Sequence, residues 1–174
     1  MKLPENPADH HTTYMKLAIK EAWRAYNKGE IPVGAVIVSH KGEVLSNAHN
    51  ETIARNDPTG HAEMIALRKA AKLIENYRLI NTKIYVTIEP CIMCAGALIH
   101  ARVEEVIFGV PDPKWGGLQS LYHFGEDGRL NHRIKVTSGI LGSECEEIIQ
   151  RFFKEKRKLL KGSSSSVGPF TDNP

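Results

Sequence analysis

Three side chains in the middle of the sequence have the types and the spacing of ligands for one metal ion. Cys91 and Cys94 lie three positions apart, so on a helix their Cβ atoms would be about 5–6 Å apart on one face. Thiolates at that separation can bind the same zinc ion, with Zn–S bonds of about 2.3 Å. His61 can supply a nitrogen ligand. Three protein ligands leave the fourth tetrahedral position open, which is typical of a catalytic zinc site.

Glu63 indicates that such a metal would do chemistry. Two thiolates and a neutral imidazole cancel the charge of Zn²⁺, so the ion would be a weaker Lewis acid than one bound by three histidines. A carboxylate beside the bound water is then needed to accept its proton. Glu63 lies two residues after His61, close enough to reach that water.

Each motif alone has a simpler interpretation. The cysteine pair could be a redox pair or two small buried residues, and a lone histidine in a helix is more often a core or surface residue than a ligand. The combination of His-x-Glu with Pro-Cys-x-x-Cys favours a metal site over these alternatives. A closed structural site would need a fourth ligand. Cys145 is the only other cysteine, and we expect it to be a small buried residue.

Hydrophobic periodicity predicts the elements that position these residues, in the order α, β, β, α, β, α, β, β, α. The two motifs begin the second and third helices, after strands that could be neighbours. The segments 50–60 and 111–133 are predicted to be irregular, and the longer one is typical of a functional or interface loop. Helices that alternate with strands favour an α/β sheet covered on both faces. The helices are predicted around 15–26, 61–75, 91–101 and 144–161, and the strands at 33–39, 44–49, 83–88, 103–110 and 136–140.

The composition is that of a globular protein. Of 174 residues, 41% are hydrophobic and 25% are charged. The sequence has no apolar run long enough to span a membrane and no secretory signal, and its three cysteines are too few for a disulfide framework. We therefore expect a cytoplasmic protein with one domain over residues 1–161. The Ser-rich segment 162–174 is predicted to be a disordered tail.

The net charge of +3 is concentrated near the C-terminus. Residues 151–161 carry six Lys or Arg side chains against one Glu, whereas residues 1–150 carry 17 basic and 18 acidic side chains. A run of this kind is usually a solvated helix face, and a contact with nucleic acid is the alternative.

The metal motifs resemble those of the zinc-dependent nucleoside and nucleobase deaminases, whose signature is His-x-Glu followed by Pro-Cys-x-x-Cys. Within that superfamily the chain is most similar to the bacterial tRNA-specific adenosine deaminases, over roughly residues 14–158. Pro111, Pro113 and Trp115 depart from the usual pattern of that family. The matching segments are IPVGAVIV (31–38), NDPTGHAEMIALR (56–68), NYRLI (76–80), YVTIEPCIMCAGALIHAR (85–102), FGVPDPKWG (108–116), LNHR (130–133) and FFKEKRK (152–158).

The resemblance implies a cytidine deaminase-like fold, a three-layer α/β/α sandwich around a central mixed five-stranded sheet. It also implies hydrolysis of the wobble adenosine in a tRNA anticodon loop to inosine. By the same resemblance, His61, Cys91 and Cys94 bind one Zn²⁺ per subunit. Glu63 is the catalytic proton shuttle, which takes a proton from water, protonates the adenine ring and assists the loss of ammonia.

The resemblance further assigns contacts with the substrate. Asn50 matches a position that contacts the target nucleoside, and Asp112 and Lys114 match the loop that lines the anticodon pocket. Phe153 and the basic residues after it match an end that meets the RNA. Each also has an ordinary alternative: a turn former, two surface charges and a core residue. The implied partners are a tRNA anticodon stem-loop and a second copy of the chain, with helix 91–101 near the homodimer interface.

Two other functions remain open at this point. A deaminase of a free base or nucleoside, such as guanine or cytosine, would use the same metal site but would not need the basic C-terminal segment. A non-catalytic RNA-binding subunit would be expected to lack the shuttle carboxylate, and Glu63 is present.

Overall fold

The structure, a computed structural model, describes the backbone of residues 7–163 and the side chains of residues 10–161. Five strands and five helices follow one another within this part of the chain. In chain order they are α1 (Pro7–Asn27), β1 (Gly34–Ser39), β2 (Val44–His49), α2 (Thr52–Arg55), α3 (Ala62–Leu73), β3 (Thr82–Ile88), α4 (Ile92–His100), β4 (Glu105–Val110), β5 (Lys135–Ser138) and α5 (Gly142–Ser163).

The strands form one mixed sheet in the order β2-β1-β3-β4-β5. The hairpin partners β1 and β2 are antiparallel, as are β1 and β3, whereas β3, β4 and β5 are parallel. Parallel neighbours need a long crossover connection, which α4 provides between β3 and β4. The strands that precede the two metal motifs, β2 and β3, are not neighbours, because β1 pairs with both of them.

Helices cover both faces of the sheet, which confirms the three-layer α/β/α architecture. Successive strand side chains point to opposite faces, and β1 shows this clearly. Ala35 and Ile37 belong to a core shared with α3 and α4, whereas Val36 and Val38 pack in a second core with α1 and α5. Cys145 on α5 is fully buried in that second core, as expected.

The C-terminal ends of β2 and β3 bring the segments with the metal motifs together. Gly34 at the start of β1 pairs with His49 at the end of β2, and Ala35 pairs with Val86 near the end of β3. The chain segments that follow β2 and β3 therefore begin at the same end of the strands. They lead to the N-termini of α3 and α4, where the two metal motifs lie.

Two features differ from the sequence prediction. The segment 50–60 is not entirely irregular, because it contains the single-turn helix α2. Helix α5 continues to Ser163, two residues into the predicted tail, and residues 164–174 lie outside the described part of the chain. The division of the chain at residue 161 therefore stays a prediction. In the described residues, none of the helices is long and apolar enough to cross a lipid bilayer.

Candidate metal centre and its cavity

Three potential ligand atoms converge between α3 and α4. The Nδ1 atom of His61 lies 3.6 Å from the Sγ atom of Cys91 and 3.5 Å from the Sγ atom of Cys94. A tetrahedral zinc ion with usual Zn–N and Zn–S bonds holds its nitrogen and sulfur ligands about 3.6 Å apart. The two nitrogen–sulfur distances therefore match those around a zinc ion, and all three ligand atoms lie within 4.8 Å of one another.

Two helix N-termini position these ligands. His61 is the N-cap residue of α3 and Cys91 is the N-cap residue of α4, both with extended backbone, and Cys94 lies in the first turn of α4. The positive end of a helix dipole favours a thiolate. Hydrogen bonds from Cys94 and His61 to Cys91 outweigh its burial and lower the pKa of the Cys91 thiol to about 4. The site thus favours the ionised form of Cys91, whereas the hydrogen bond to Cys91 and burial raise the pKa of the Cys94 thiol.

Glu63 lies in the first turn of α3, beside these ligands. Its side chain is only 3% exposed, and its Oε2 atom has no hydrogen-bond partner among the described residues. Removal from water disfavours the carboxylate, so burial raises the pKa of Glu63 to about 7. A buried carboxyl oxygen without a partner is rare and costly. The arrangement fits a carboxyl group that contacts a metal-bound water.

A cavity of about 650 Å³ opens in front of this group. Its size is in the range of small-molecule sites. Most of its wall is apolar, and its polar side chains come from the metal centre and the segments beside it. The lining residues are Ile31, Val33, Asn50, Thr52, Pro58, His61, Glu63, Ile88, Glu89, Cys91, Ile92, Met93, Asp112 and Trp115.

Asn50 connects the cavity wall to the first metal motif. Its Oδ1 atom accepts a hydrogen bond of 2.9 Å from the backbone N–H of Ala62. The backbone N–H of Asn50 donates to Val33 O at 3.1 Å. The side chain is buried and lines the cavity. Because Oδ1 is occupied, the Nδ2 donor is the part of the amide that remains for a ligand.

Glu89 anchors another part of the cavity wall and was not singled out from the sequence. Its Oε1 atom accepts hydrogen bonds from the N–H groups of Leu118, Gln119 and Ser120 at 3.1, 2.7 and 3.0 Å. Its Oε2 atom accepts one from Asp112 N–H at 3.1 Å and one from the Ser120 hydroxyl. A single buried carboxylate thus fixes both ends of the segment 112–120. A glutamate directly before the Pro-Cys motif was the signal available in the sequence.

Glu30 does the same for the other rim of the cavity. Its carboxylate accepts hydrogen bonds from the N–H groups of Ile53 and Ala54 at 3.2 and 2.7 Å and from the Thr52 hydroxyl at 3.1 Å. The two N–H groups belong to the N-terminal turn of α2, where backbone amides have no hydrogen-bond partner within the helix. The short helix therefore depends on a residue far away in the sequence.

The remaining predicted contacts are distributed unevenly. Asp112 lines the cavity, and its Oδ1 atom accepts hydrogen bonds from the N–H groups of Lys114 and Trp115. Lys114 and Phe153 are both absent from the cavity lining of the described chain. Phe153 is half-exposed on α5, where its ring packs edge-on against Phe152. Their predicted contacts with RNA are not tested by this geometry.

Comparison of the chain with known proteins identifies its family. The sequence profile of the cytidine and deoxycytidylate deaminase zinc-binding region matches residues 8–110. A tRNA-specific adenosine deaminase of Haemophilus influenzae is 46% identical over 158 residues, which cover 91% of each chain. Two solved structures extend the comparison to three dimensions.

The first solved structure comes from a study of A-to-I editing by tRNA:A34 deaminases at the wobble position. It matches with a TM-score of 0.76 and 39% identity, over 79% of this chain and 99% of the other. The second is the guanine deaminase of Bacillus subtilis. It matches with a TM-score of 0.55 and 40% identity, over 58% of this chain and 64% of the other.

Proposed function

The chain belongs to the tRNA-specific adenosine deaminases of the cytidine and deoxycytidylate deaminase family, and from that premise we propose that it hydrolyses the wobble adenosine of a tRNA anticodon loop to inosine. The observation that carries the proposal is the convergence of His61, Cys91 and Cys94 at zinc-ligand spacing, beside a buried glutamate and a cavity. Water and adenosine are consumed, and inosine and ammonia are formed.

In this mechanism, His61 Nδ1 and the thiolates of Cys91 and Cys94, whose ligand atoms lie within 4.8 Å of one another, would hold one zinc ion per chain. The ion would supply a water of lowered pKa, and hence hydroxide at neutral pH, for attack on C6 of adenine. Glu63 would accept one proton of that water and deliver it to the adenine ring nitrogen. It would then take the second proton, from the hydroxyl group added to C6, and pass it to the amine, which leaves as ammonia. A carboxyl group with a raised pKa suits both directions of transfer, because it can be deprotonated and reprotonated near neutral pH.

Asn50 is proposed to bind the target nucleoside through its amide. Its Oδ1 atom is fixed by the N–H of Ala62, so the free Nδ2 donor faces an acceptor on the ligand. Asp112 in the cavity wall and Lys114 two residues after it are proposed to contact the anticodon loop. Phe153 and the basic side chains of α5 are proposed to contact the RNA farther away, through a stacking surface and through phosphates.

We also propose that the protein is a cytoplasmic homodimer. The outer faces of α3 and α4 form a shallow apolar depression with the segment 77–79, lined by Met64, Leu67, Arg68, Ala71, Tyr77, Leu79, Ala97, His100 and Ala101. An apolar surface of this kind favours association through a helix face. Sedimentation of the zinc-loaded protein would give the mass of two chains, and a single-chain mass at micromolar concentration would contradict the dimer.

The test of the function is inosine formation by the zinc-loaded protein on an arginine tRNA anticodon stem-loop. The Glu63→Ala variant is the matched control, because it should keep bound zinc while turnover falls by at least about 100-fold. Inosine at the wobble position with the wild type alone supports the proposal. Fully metallated wild type that forms no inosine would contradict it, and turnover retained by Glu63→Ala would remove Glu63 from its role.

A deaminase of a free base is the second candidate, since the match to the Bacillus subtilis guanine deaminase and the size of the cavity both permit it. The same preparation should therefore be assayed for ammonia release from free guanine, cytosine and their nucleosides. Faster release from a free base than from the stem-loop would favour this second function.

A further inference from the structure

The mouth of the cavity carries a large aromatic side chain that the proposed reaction does not use. Trp115 lines the cavity, yet it is 65% exposed to solvent. Large exposed aromatic surfaces at the edge of a site are typical of recognition surfaces, because an indole contributes contact area with little loss of conformational entropy. The deamination step itself needs only the residues on the cavity floor.

The backbone that carries Trp115 is held rigidly. Asp112 Oδ1 accepts hydrogen bonds from the N–H groups of Lys114 at 2.9 Å and of Trp115 at 3.2 Å, and Asp112 O accepts one from Gly116 N–H at 2.9 Å. The turn is therefore closed on both sides of the indole. An ordered platform binds more tightly than a mobile one, because less entropy is lost on binding.

The turn is also attached to the metal centre. Gly117 N–H donates to Pro90 O at 2.9 Å, and Gly116 forms an isolated bridge with Cys91, the metal-ligand residue. A Cβ atom at Gly116 would lie 2.5 Å from Glu89 Oε2, so this close approach requires glycine. Trp115 is thus held close in the chain to backbone that contacts the candidate metal centre, through Gly116 and Gly117.

We propose that Trp115 stacks on the nucleobase next to the adenosine that enters the cavity, an inference that rests on the proposed function. The target base must leave the stack of its neighbours to reach the metal centre. A neighbouring base loses a stacking partner at that moment, and an exposed indole at the cavity mouth can replace it. Stacking accepts any base, because every base has a π-face.

The test is a double-mutant cycle between Trp115 and a neighbouring nucleotide. The protein variants are Trp115→Ala and Trp115→Phe, and the RNA variants are anticodon stem-loops with an abasic residue 5′ or 3′ of the target. We expect Trp115→Ala to lower kcat/KM for inosine formation by about 10-fold through KM. Trp115→Phe, which keeps a π-face, should stay within about 3-fold of the wild type. One abasic residue should cost the wild type a similar factor and cost Trp115→Ala almost nothing.

Independent, multiplying effects of the two changes on both abasic stem-loops would overturn the inference and leave the function intact. A Trp115→Ala variant as active as the wild type would do the same. A changed mass of Trp115→Ala in sedimentation would assign the side chain to a contact between copies and would also overturn it. A wild type that forms no inosine on any RNA would overturn the proposed function, and this inference with it.

Fluorescence gives a second readout without turnover. The sequence has two tryptophans, and Trp23 packs against Tyr26 on α1. In the inactive Glu63→Ala background, Trp23→Phe leaves Trp115 as the single tryptophan, and Trp115→Phe leaves Trp23. We expect RNA to quench the emission of the first protein, less so with the relevant abasic stem-loop, and to quench the second much less. Equal quenching of both, unaffected by the abasic residue, would contradict stacking on Trp115.

Discussion

The Oδ1 atom of Asn50 accepts a hydrogen bond of 2.9 Å from the backbone N–H of Ala62, the residue between His61 and Glu63. The Asn50 side chain, directly after β2, therefore fixes the backbone from which both the proposed metal ligand and the proposed proton shuttle project. Asn50 thus holds this motif through its oxygen, and we propose that it also contacts the ligand through its nitrogen.

Substitution of Asn50 should separate these tasks. Asn50→Ala leaves the Ala62 N–H buried without an acceptor, which should lower the free energy of unfolding by about 1–3 kcal/mol and abolish most turnover. Asn50→Asp keeps the acceptor and loses the donor. It should lose turnover with a smaller loss of stability in chemical denaturation. Equal stability losses in both variants would contradict the role of Oδ1.

The metal centre predicts that two of the three cysteines behave differently from the third. Cys94→Ala should reduce bound zinc from about one ion per chain to nearly none in elemental analysis, with loss of activity. Cys145→Ala is the matched control, because its thiol is buried in the other core. It should keep zinc and activity and lower only the melting temperature. Zinc loss in both variants would argue against the three-ligand set.

We predict that substitution of Glu89 reduces the order of the segment 112–120 without loss of the metal. Glu89→Gln removes the charge that accepts five hydrogen bonds, and we expect the free energy of unfolding to fall by about 2–3 kcal/mol. The amides of residues 118–120 should exchange hydrogen faster, and KM for the stem-loop should rise more than kcat falls. The exposed Glu126→Gln, in the same irregular segment, should change none of these. Unchanged exchange in Glu89→Gln would contradict the anchoring role.

Glu105 predicts part of the acid sensitivity of the fold. Burial raises the pKa of this carboxyl group, but hydrogen bonds from Lys83, Thr137 and Lys135 outweigh it and leave the pKa below its usual value. A lowered folded-state pKa contributes stability above the unfolded pKa of about 4.5 that is lost as the pH falls below it. Glu105→Gln should therefore be less stable than the wild type at pH 7.

The difference in the free energy of unfolding between Glu105→Gln and the wild type should become smaller as the pH falls from about 5 to about 3. Urea denaturation across this range measures it, with the exposed neighbour Glu104→Gln as control. A constant difference over the whole range would show that ionisation of Glu105 does not contribute.

Helix α5 predicts the salt dependence of RNA binding. Removal of the exposed side chains of Lys154, Arg157 and Lys158 together should weaken binding of the stem-loop and reduce the slope of log K against log salt by about 2, at about 0.7 per phosphate contact. Zinc content should not change. A control with the same loss of charge, Lys16→Ala, Lys20→Ala and Lys41→Ala, should leave the slope nearly unchanged. Equal effects of both triple variants would indicate a general charge effect.

Local patterns in the sequence predicted most of the elements. Strand β2 was predicted with its observed bounds, and the two motifs lie at helix N-termini as expected. Their convergence could be anticipated because the residue types restrict what they can do together. The resemblance to known deaminases then supplied the mixed sheet, which alternation of elements alone does not specify.

The features that were missed depend on contacts between distant residues. Helix α2 lies in a segment rich in turn formers, and its N-terminal amides are satisfied by Glu30, 22 residues before Thr52. The roles of Glu89 and Asn50 likewise depend on backbone groups brought close only by the fold. The sequence around an acidic residue does not indicate which backbone amides will donate hydrogen bonds to its carboxylate in the folded chain.

The segment 112–120 beside the cavity is held on Glu89 almost entirely through main-chain N–H groups. Every residue except proline supplies such a group, so the side chains at positions such as Trp115 and Gln119 can change without loss of the anchor. Substrate preference can therefore evolve on this segment by single substitutions, at little risk to the metal centre behind it.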